Sequence, residues 1–306
     1  MSGPFSVNCL NTMRSLSTKA DKAPLKWGVN GLVYQVSTRD TTCLSQLRLV
    51  FGPWLTEHNI DPLSCWNVNC SSDEWTVQSN DKVSVFKTLS DAVRAVEFGA
   101  IVNCFESCLH LTLHGALVSS RGRGVLIVGP GESGKSTLAC ALWQANYSFL
   151  CDDTTLIDTK HLRAYSTPRR VSVRHGSRTL LGDRLWSRIA ATPSCDQRQK
   201  GVLFHTHEVD QQSHPCSTPL SLVIVLGRRS VSLDPGTSKR IEPTDALMAL
   251  LPHSNLARQL GAGEAILGIG PIADAVPAYD LSRGSLAQMA ECVEHLLVET
   301  ECNLDP

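Results

Sequence analysis

The segment 129–136, Gly-Pro-Gly-Glu-Ser-Gly-Lys-Ser, restricts the fold of this chain more than any other feature of its sequence. It fits the pattern G-x-x-x-x-G-K-[ST] at every fixed position. The apolar run Val125 to Val128 before it predicts a buried strand, and Lys135 to Gln144 after it predicts a helix. A glycine-rich turn between a strand and a helix is typical of an α/β fold.

Such a loop is suited to hold phosphate groups. Its glycines let backbone N–H groups turn inward to make an anion-binding concavity, and the start of the following helix adds partial positive charge. Lys135 is expected to reach the β- and γ-phosphates of a nucleotide, Ser136 to ligate Mg²⁺, and Thr137 to support it. We name the segment the phosphate loop. The predicted nucleotide-binding residues are Gly129, Gly131, Glu132, Ser133, Gly134, Lys135, Ser136 and Thr137.

The composition argues against several classes of function. Of the 306 residues, 42% are hydrophobic and 19% are charged, a balance typical of globular proteins with a sizeable core. The formal net charge is -1 and the aromatic fraction is 6%, so neither nucleic acid nor an anionic membrane is an expected partner. No apolar run is long enough for a membrane span, and we expect no signal peptide. The 12 cysteines form no CxxC pair, which favours reduced thiols in a cytoplasmic protein.

Two regions of different character follow one another along the chain. Residues 1–103 are typical of a small mixed α+β module, with a hairpin at Asn30-Gly31 and the greater part of a helical pattern over 91–111. This module carries no recognisable chemistry, and we expect it to bind a partner or the substrate. In residues 104–306 strands and helices alternate around the phosphate loop, which predicts an α/β catalytic domain.

The acids of the chain stand in an unusual place for a phosphate-loop protein. The apolar strand Leu222 to Leu226 is followed by Gly227-Arg228-Arg229, without the acid that commonly ends such a strand. The base-reading motif of GTPases is absent, and Leu281 to Ser285 is only a weak echo of the ABC ATPase signature. The nearest acids after the loop are Asp152 and Asp153, directly behind a short apolar strand. One of them is suited to accept a hydroxyl proton while the other organises metal or water, with a plain acidic turn as the alternative.

Several of these segments together resemble the catalytic domain of HPr kinase/phosphorylase. The resemblance rests on His114 to Val118, on Gly122 to Gly129, on the phosphate loop and on the pair Asp152-Asp153, at the spacing of that family. It extends over about residues 105–300. It implies an α/β P-loop kinase fold similar to that of phosphoenolpyruvate carboxykinase. It also implies that Asp152 is the general acid/base toward a substrate serine, that Asp153 lies beside it, and that His114 lines the phosphate site.

A looser group, the HPr-kinase-related kinases, is the closer match. Its members share a Pro-Arg segment after the aspartates, here Thr167 to Ser172, and a late strand, here Val276 to Leu281. Some members phosphorylate a serine at the end of a lasso peptide precursor, which implies a ribosomal peptide as substrate. The chain departs from HPr kinase itself, because Pro168-Arg169-Arg170 follows the aspartates where that family has a metal-binding glutamate. Phosphorylase activity and HPr as a partner are therefore not implied.

The sequence thus predicts an ATP-dependent serine kinase that uses Mg²⁺ and acts on a peptide or protein. The expected catalytic residues are Asp152, Asp153, His114 and Lys135, the expected metal ligands are Ser136 and Asp153, and the arginines expected at phosphate or substrate are Arg169 and Arg170. The two arginines have a plain alternative as part of a solvated turn.

Two other functions stay open on the sequence. One is a kinase of free serine or another small molecule, which a closed, arginine-lined pocket near Asp152 would favour over the open groove that a peptide needs. The other is a nucleotide-binding regulatory module without catalysis, and a compact arrangement of Asp152, His114 and Lys135 would count against it. The related kinase is a hexamer, so a homo-oligomer is a further expectation.

Overall fold

The computed structural model describes residues 24–57, 60–71, 73–80, 82–107, 110–167, 169–210, 215–227 and 234–302. Its strands form three sheets of five, nine and three strands, with helices packed on them. The fold is therefore mixed α/β. The phosphate loop and the two aspartates both follow strands of the nine-stranded sheet.

The first sheet is built from residues 25–86. Its strands, in the order in which they lie side by side, are β1 (Leu25–Val29), β2 (Leu32–Thr38), β3 (Ser64–Ser71), β4 (Glu74–Ser79) and β5 (Lys82–Phe86). β2 and β3 run parallel and are joined by helix α1 (Thr41–Phe51), while the other neighbours are antiparallel. The predicted hairpin is confirmed, because Asn30 and Gly31 turn between β1 and β2 with φ of +46° and +81°.

Helix α2 (Leu89–Glu106) connects this sheet to the rest of the chain. Thr88 caps it by accepting the N–H of Asp91 at 3.1 Å, and the helix ends at Glu106, earlier than the sequence pattern predicted. Beneath it lies an aromatic core, in which Trp27 stacks on Phe51 with ring centroids 4.0 Å apart. One face of α2 packs on this core, and part of its opposite face reaches the site described below.

The remaining elements follow α2 in the sequence. The strands are β6 (Leu111–Leu113), β7 (Gly115–Ser120), β8 (Arg123–Val128), β9 (Ser148–Cys151), β10 (Thr155–Asp158), β11 (Arg163–Ser166), β12 (Val171–Arg174), β13 (Asp196–Gln197), β14 (Gly201–Phe204), β15 (Ser217–Leu226), β16 (Ser238–Ile241) and β17 (Ala278–Leu281). The helices are α3 (Lys135–Gln144), α4 (Arg178–Leu181), α5 (Asp183–Ala190), α6 (Thr206–Asp210), α7 (Pro243–Leu250), α8 (Asn255–Gln259), α9 (Ala262–Ala275) and α10 (Leu286–Cys302). Within the described ranges, no helix combines the length and the apolar composition that crossing a membrane requires.

The nine-stranded sheet centres on β15. Its order is β6-β10-β11-β15-β8-β7-β9, and β17 also pairs with β15 and carries β16. β15 runs parallel to β8 and β17 and antiparallel to β11. β9 pairs with β7 whereas β10 pairs with β6 and β11, so the segments before and after Asp152-Asp153 are separate strands. The chain changes its place in the sheet at Asp152-Asp153, and the turn presents both carboxylates.

Alternate residues of β8 face opposite sides of this sheet, and helices cover both sides. Val125 and Ile127 pack in one core with α3 and α10, while Leu126 and Val128 pack in a second core with α7 and α9. The phosphate loop follows Val128, so it leaves a strand that is held from both sides. This packing fixes where the loop begins.

The three-stranded sheet, in the order β12-β14-β13, lies beside α3 and carries the segment that follows the aspartates. β12 pairs antiparallel with β14, from Val171 opposite Phe204 to Arg174 opposite Gly201. Phe204 and Val173 contribute to the same core as α3. The three-stranded sheet therefore extends the core on that side of the nine-stranded sheet where α3 lies.

Cysteine usage departs from the expectation of reduced thiols at one position. Cys216 is disulfide-bonded, so the expectation is wrong there. The free cysteines of the described residues are Cys43, Cys65, Cys70, Cys104, Cys140, Cys151, Cys195 and Cys292.

Candidate active site

The phosphate loop leaves β8 and turns directly into α3. Its backbone is left-handed at Glu132 and Gly134, with φ of +65° and +104°, and Gly134 forms the N-terminal cap of α3. Gly129, with φ of +151°, passes so close to β15 that an added Cβ would lie 2.5 Å from the carbonyl oxygen of Leu226. A side chain at this position would displace the loop from the sheet, so both φ and packing require glycine.

Two polar groups of the loop are arranged for an anion. Lys135 is 7% exposed, and its Nζ donates hydrogen bonds to the carbonyl oxygens of Gly129 and Pro130 at 2.9 and 3.1 Å. The hydroxyl of Ser133 is buried and has no hydrogen-bond partner among the described residues. A buried polar atom without a partner costs free energy, which a phosphate oxygen placed in the loop would recover. The residues of the loop therefore fit the phosphates of a nucleotide.

The neighbouring hydroxyls differ in what they contact. The Thr137 hydroxyl shares a hydrogen bond of 2.8 Å with the Ser177 hydroxyl, which braces α3 against the turn that follows β12. Ser136 is half-buried in the first turn of α3. Glu132, exposed at the tip of the loop, forms an ion pair with Arg174 at the end of β12. The loop is thus supported by the three-stranded sheet as well as by β15.

The two aspartates between β9 and β10 lie in different surroundings. Asp152 is 5% exposed, and its Oδ2 accepts the backbone N–H of Ser172 at 2.9 Å. Asp153 has a side chain that is 32% exposed, with Oδ1 at 2.9 Å from Nδ1 of His114 and Oδ2 in an ion pair with Arg169. The pair therefore consists of one buried carboxyl and one carboxylate held at the surface of a cavity.

These surroundings move the pKa values of the two carboxyls in opposite directions. Burial raises the pKa of Asp152 to about 7, with the charge of Arg169 opposing the rise and that of Asp153 adding to it. Burial also raises the pKa of Asp153, but the hydrogen bond from His114 and the charge of Arg169 outweigh it and hold that pKa below the usual range. Burial lowers the pKa of Lys135, while the charges of Asp153 and Asp152 oppose this shift. The lysine and both carboxyls therefore act on one another in one site.

Two histidines close the other side of the site. His114 lies in the break between β6 and β7, where its backbone N–H donates to the carbonyl oxygen of His253 at 2.8 Å. Burial, followed by the charges of His114 and Lys135, lowers the pKa of His253 to about 4. His253 is therefore a neutral neighbour of the site at physiological pH. Nothing in the local sequence around Pro252-His253 distinguishes it, and sequence reasoning missed it.

The two arginines after the aspartates point to different places. Arg169 pairs with Asp153, and burial is the largest influence on its pKa, which the charges of Asp152 and Asp153 nevertheless raise. The Arg170 side chain is 5% exposed, and its guanidinium bonds Oε2 of Glu97 in α2 at 2.9 Å and the carbonyl oxygen of Ser194 at 3.1 Å. Arg169 thus lies at the aspartates, whereas Arg170 ties α2 to the three-stranded sheet.

Among the described residues, Arg169 lines two cavities, and Asp153 lines one of them. One, of about 480 Å³, is lined by His114, Asp153 and Arg169 and by residues of α2 and α8 that include Phe98 and Arg258. The other, of about 600 Å³, starts at Arg169 and Phe98 and follows β12 and β14. A third space of about 280 Å³ borders Gly129 and Pro130 of the loop and His253.

The predicted catalytic residues His114, Lys135, Asp152 and Asp153 are therefore brought together, although they come from separate segments of the chain. Arg169 joins them through Asp153. The arrangement combines an anion-binding loop, a buried carboxyl of raised pKa and a guanidinium in one site. Such a site can hold phosphates and remove a proton from a nearby hydroxyl.

The comparisons with known proteins found matches among solved structures. No protein-family model matches the sequence, and no curated protein matches it. Among solved structures, the Hpr(Ser) kinase/phosphatase from Coxiella burnetii is similar with a TM-score of 0.37 and 16% sequence identity. That alignment covers 62% of this chain and 98% of the other.

Proposed function

We propose that this chain is an ATP-dependent serine kinase that transfers the γ-phosphoryl group to a serine hydroxyl of a peptide or protein. The observation that carries the proposal is the position of Asp152, a buried carboxyl of raised pKa that interacts with the lysine of a phosphate loop. A group whose pKa lies near neutrality combines a useful deprotonated fraction with enough basicity to take a hydroxyl proton.

The phosphate loop is the site of the donor in this proposal. Its N–H groups, the Lys135 ammonium and the unpaired Ser133 hydroxyl offer hydrogen bonds and positive charge to the β- and γ-phosphates. Because Lys135 is buried, its charge acts through a medium of lower dielectric than water. Ser136 and Asp153 are the residues that would hold a magnesium ion, which when bound supplies charge that neutralises phosphate oxygens.

At the acceptor side, Asp152 takes the proton of the attacking serine hydroxyl. A bond forms between the serine oxygen and the γ-phosphorus, the bond from the γ-phosphorus to the β-phosphate oxygen breaks, and ADP leaves. Arg169 offers its guanidinium to the oxygens of the phosphoryl group as charge moves, while His114 and Arg169 hold Asp153 in place. The proton later leaves Asp152 to solvent.

Two classes of molecule are candidates for the acceptor. The groove of about 600 Å³ along β12 favours a peptide, and within that class we propose a ribosomal precursor of the lasso type on the sequence resemblance. The cavity of about 480 Å³ has a size suited to a small molecule and is lined by Arg169 and Arg258, which favours free serine as a second candidate. Supplying free serine and serine peptides to the same protein with ATP and Mg²⁺ separates the two.

Transfer is expected to depend on Lys135. Lys135→Met keeps the length of the side chain but removes the charge from the phosphates, so kcat should fall about a hundredfold or more. The measurement is transfer of labelled phosphate from ATP to a serine peptide. Lys239→Met, which alters an exposed lysine of β16, is the matched control and should leave kcat unchanged. Equal rates for Lys135→Met and wild type would contradict the proposed function.

Activity is expected to rise with pH through the titration of Asp152. The carboxyl must be deprotonated to accept a proton, so kcat/KM for the peptide should increase from acidic pH and level off above a midpoint near its raised pKa of about 7. The charge of Arg169 lowers this pKa and the charge of Asp153 raises it. Arg169→Gln should therefore move the midpoint to higher pH, and Asp153→Asn should move it to lower pH.

The opposite shifts are the decisive part of this pH experiment. They are read from the residual activity of the variants between about pH 5 and pH 9, where carboxyl groups with raised pKa values titrate. A midpoint common to wild type and both variants would belong to the nucleotide or to another group, and would contradict the role given to Asp152.

A further inference from the structure

The groove along β12 carries a concentration of cations of which the proposed reaction uses one, Arg169. Among the described residues that line it, the cations are Arg94, Arg169, Arg174, Arg198 and Lys200, and the acid is Glu97. The lining is therefore rich in cations in a chain whose formal net charge is -1, although three of these cations are paired with acids of the protein. Cations gathered in a cleft raise the local concentration of anionic ligands more than the same charges spread over a surface.

Ion pairs within the protein neutralise only part of this positive charge. Glu97 is committed to Arg170, which does not line the groove. Arg169 pairs with Asp153 and Arg174 pairs with Glu132. Arg198 pairs with Asp91 and Asp196, at 2.7 and 2.6 Å. Arg94 and Lys200 are exposed, and the ion pairs of the described residues include neither of them. Within the described residues, these two cations lack a direct ion pair and are available to a ligand, while their charges also act on Asp91 and Glu132.

One end of the groove is lined by residues that contact the two aspartates. Arg169, which pairs with Asp153, lines it, and so does Ser172, whose N–H donates to Asp152. From there it runs past Arg174 to Lys200, on the turn between β13 and β14. An extended segment lying in the groove would place one end beside Arg169 and Ser172, next to the aspartates, and the rest beside the other cations.

We infer that this groove binds acidic residues of the acceptor, so that the substrate is a peptide with Asp or Glu close to its serine. The inference rests on the proposed kinase function and names the substrate class of the same site. The donor has its own anion site in the phosphate loop, while Arg94 and Lys200 come from α2 and the β13–β14 turn and are not part of that loop. Carboxylates of a peptide would meet charge of opposite sign along the groove, which favours correct docking and rejects basic peptides.

The test compares two serine peptides, one flanked by acidic residues and one by lysines, on wild type and Lys200→Glu. Wild type is expected to prefer the acidic peptide about tenfold in kcat/KM. Lys200→Glu should lower kcat/KM for that peptide about three- to tenfold, raise it for the basic peptide, and leave KM for ATP unchanged. Lys239→Glu, an exposed lysine of β16 that does not line the groove, is the matched control and should behave as wild type. Added salt should weaken the preference.

Binding without turnover separates this inference from the proposed function. The probe is a labelled acidic peptide with Ala in place of Ser, whose binding is followed by fluorescence anisotropy. Tight binding that Lys200→Glu weakens supports the groove even if no phosphate is transferred, in which case only the proposed function fails. Equal affinity for the acidic and basic peptides would overturn the inference. It would also be overturned if Lys200→Glu raised KM for ATP and not KM for the peptide, because the groove would then bind the donor.

Discussion

Replacing Asp152 by asparagine is expected to lower kcat for phosphoryl transfer by about 10²–10⁴-fold, the range typical of losing a general base. The amide has nearly the shape of the carboxyl and can still accept the N–H of Ser172, which Asp152 bonds at 2.9 Å. It cannot accept the proton of the attacking hydroxyl. Nucleotide affinity should change little, because Lys135 and the loop amides remain. The measurements are steady-state transfer to a serine peptide and nucleotide titration of the same protein.

Two further variants show whether the effect is specific to Asp152. Asp158→Asn changes a partly exposed aspartate of β10 that pairs with His161, and should keep full activity. Asp153→Asn removes the charged partner of His114 and Arg169. Its kcat therefore reports how much the positioning of these two side chains contributes to transfer. If Asp152→Asn retained wild-type kcat while Asp153→Asn lost it, the base would be Asp153 and not Asp152.

Stability provides a check that the asparagine variant is folded. The folded-state pKa of Asp152 is raised above its unfolded value, so its protonated form is favoured in the folded protein and its contribution to stability is lost as pH rises through about 7. Above that pH the buried charge is unfavourable, and asparagine carries none. The variant should therefore melt no lower than wild type at alkaline pH, and lost activity then reflects lost chemistry.

Replacing Glu97 by alanine is expected to lower the free energy of unfolding by about 3–5 kcal/mol. The ion pair with Arg170 is buried, with side chains 3% and 5% exposed, and Oε1 of Glu97 also accepts the backbone N–H of Arg170 at 2.7 Å. Removing the carboxylate leaves a guanidinium and an N–H in a poorly solvated place. Urea unfolding followed by tryptophan fluorescence measures the loss.

Two controls belong to the stability experiment. Arg178→Ala breaks the exposed pair with Asp183, whose side chains are 54% and 78% exposed, and should cost at most about 1 kcal/mol. The double replacement Glu97→Met with Arg170→Met removes both charges and should be less destabilising than Glu97→Ala alone. A loss below about 1 kcal/mol for Glu97→Ala would mean that solvent reaches Arg170, contrary to the burial seen here.

The local elements around the site could be predicted because their signals are short in sequence. The helix after the phosphate loop runs from Lys135 to Gln144 as predicted, since its apolar residues recur at helical spacing behind a glycine cap. The hairpin at Asn30-Gly31 follows from two residues that tolerate positive φ. The break of pairing between β9 and β10 could not be predicted, because it depends on strands that lie elsewhere in the sequence.

The sequence could not predict where each site residue lies in space. Arg169 and Arg170 are neighbours of the same type, yet one meets Asp153 and the other meets Glu97, which is 73 residues away. His253 reaches the site only because β6, β7 and the turn before α8 meet there. No local pattern encodes such meetings, since they arise from the packing of whole sheets and helices.

The sequence by itself determined the phosphate loop, its strand and helix, and the presence of two adjacent carboxyls after the next strand. Those features depend on backbone dihedral preferences and residue spacing, which act over a few residues. Only the tertiary structure decided that Asp152 is buried and weakly acidic while Asp153 faces a cavity and stays charged. That difference comes from desolvation and from charges brought by distant segments, so the chemistry of the pair exists only in the folded chain.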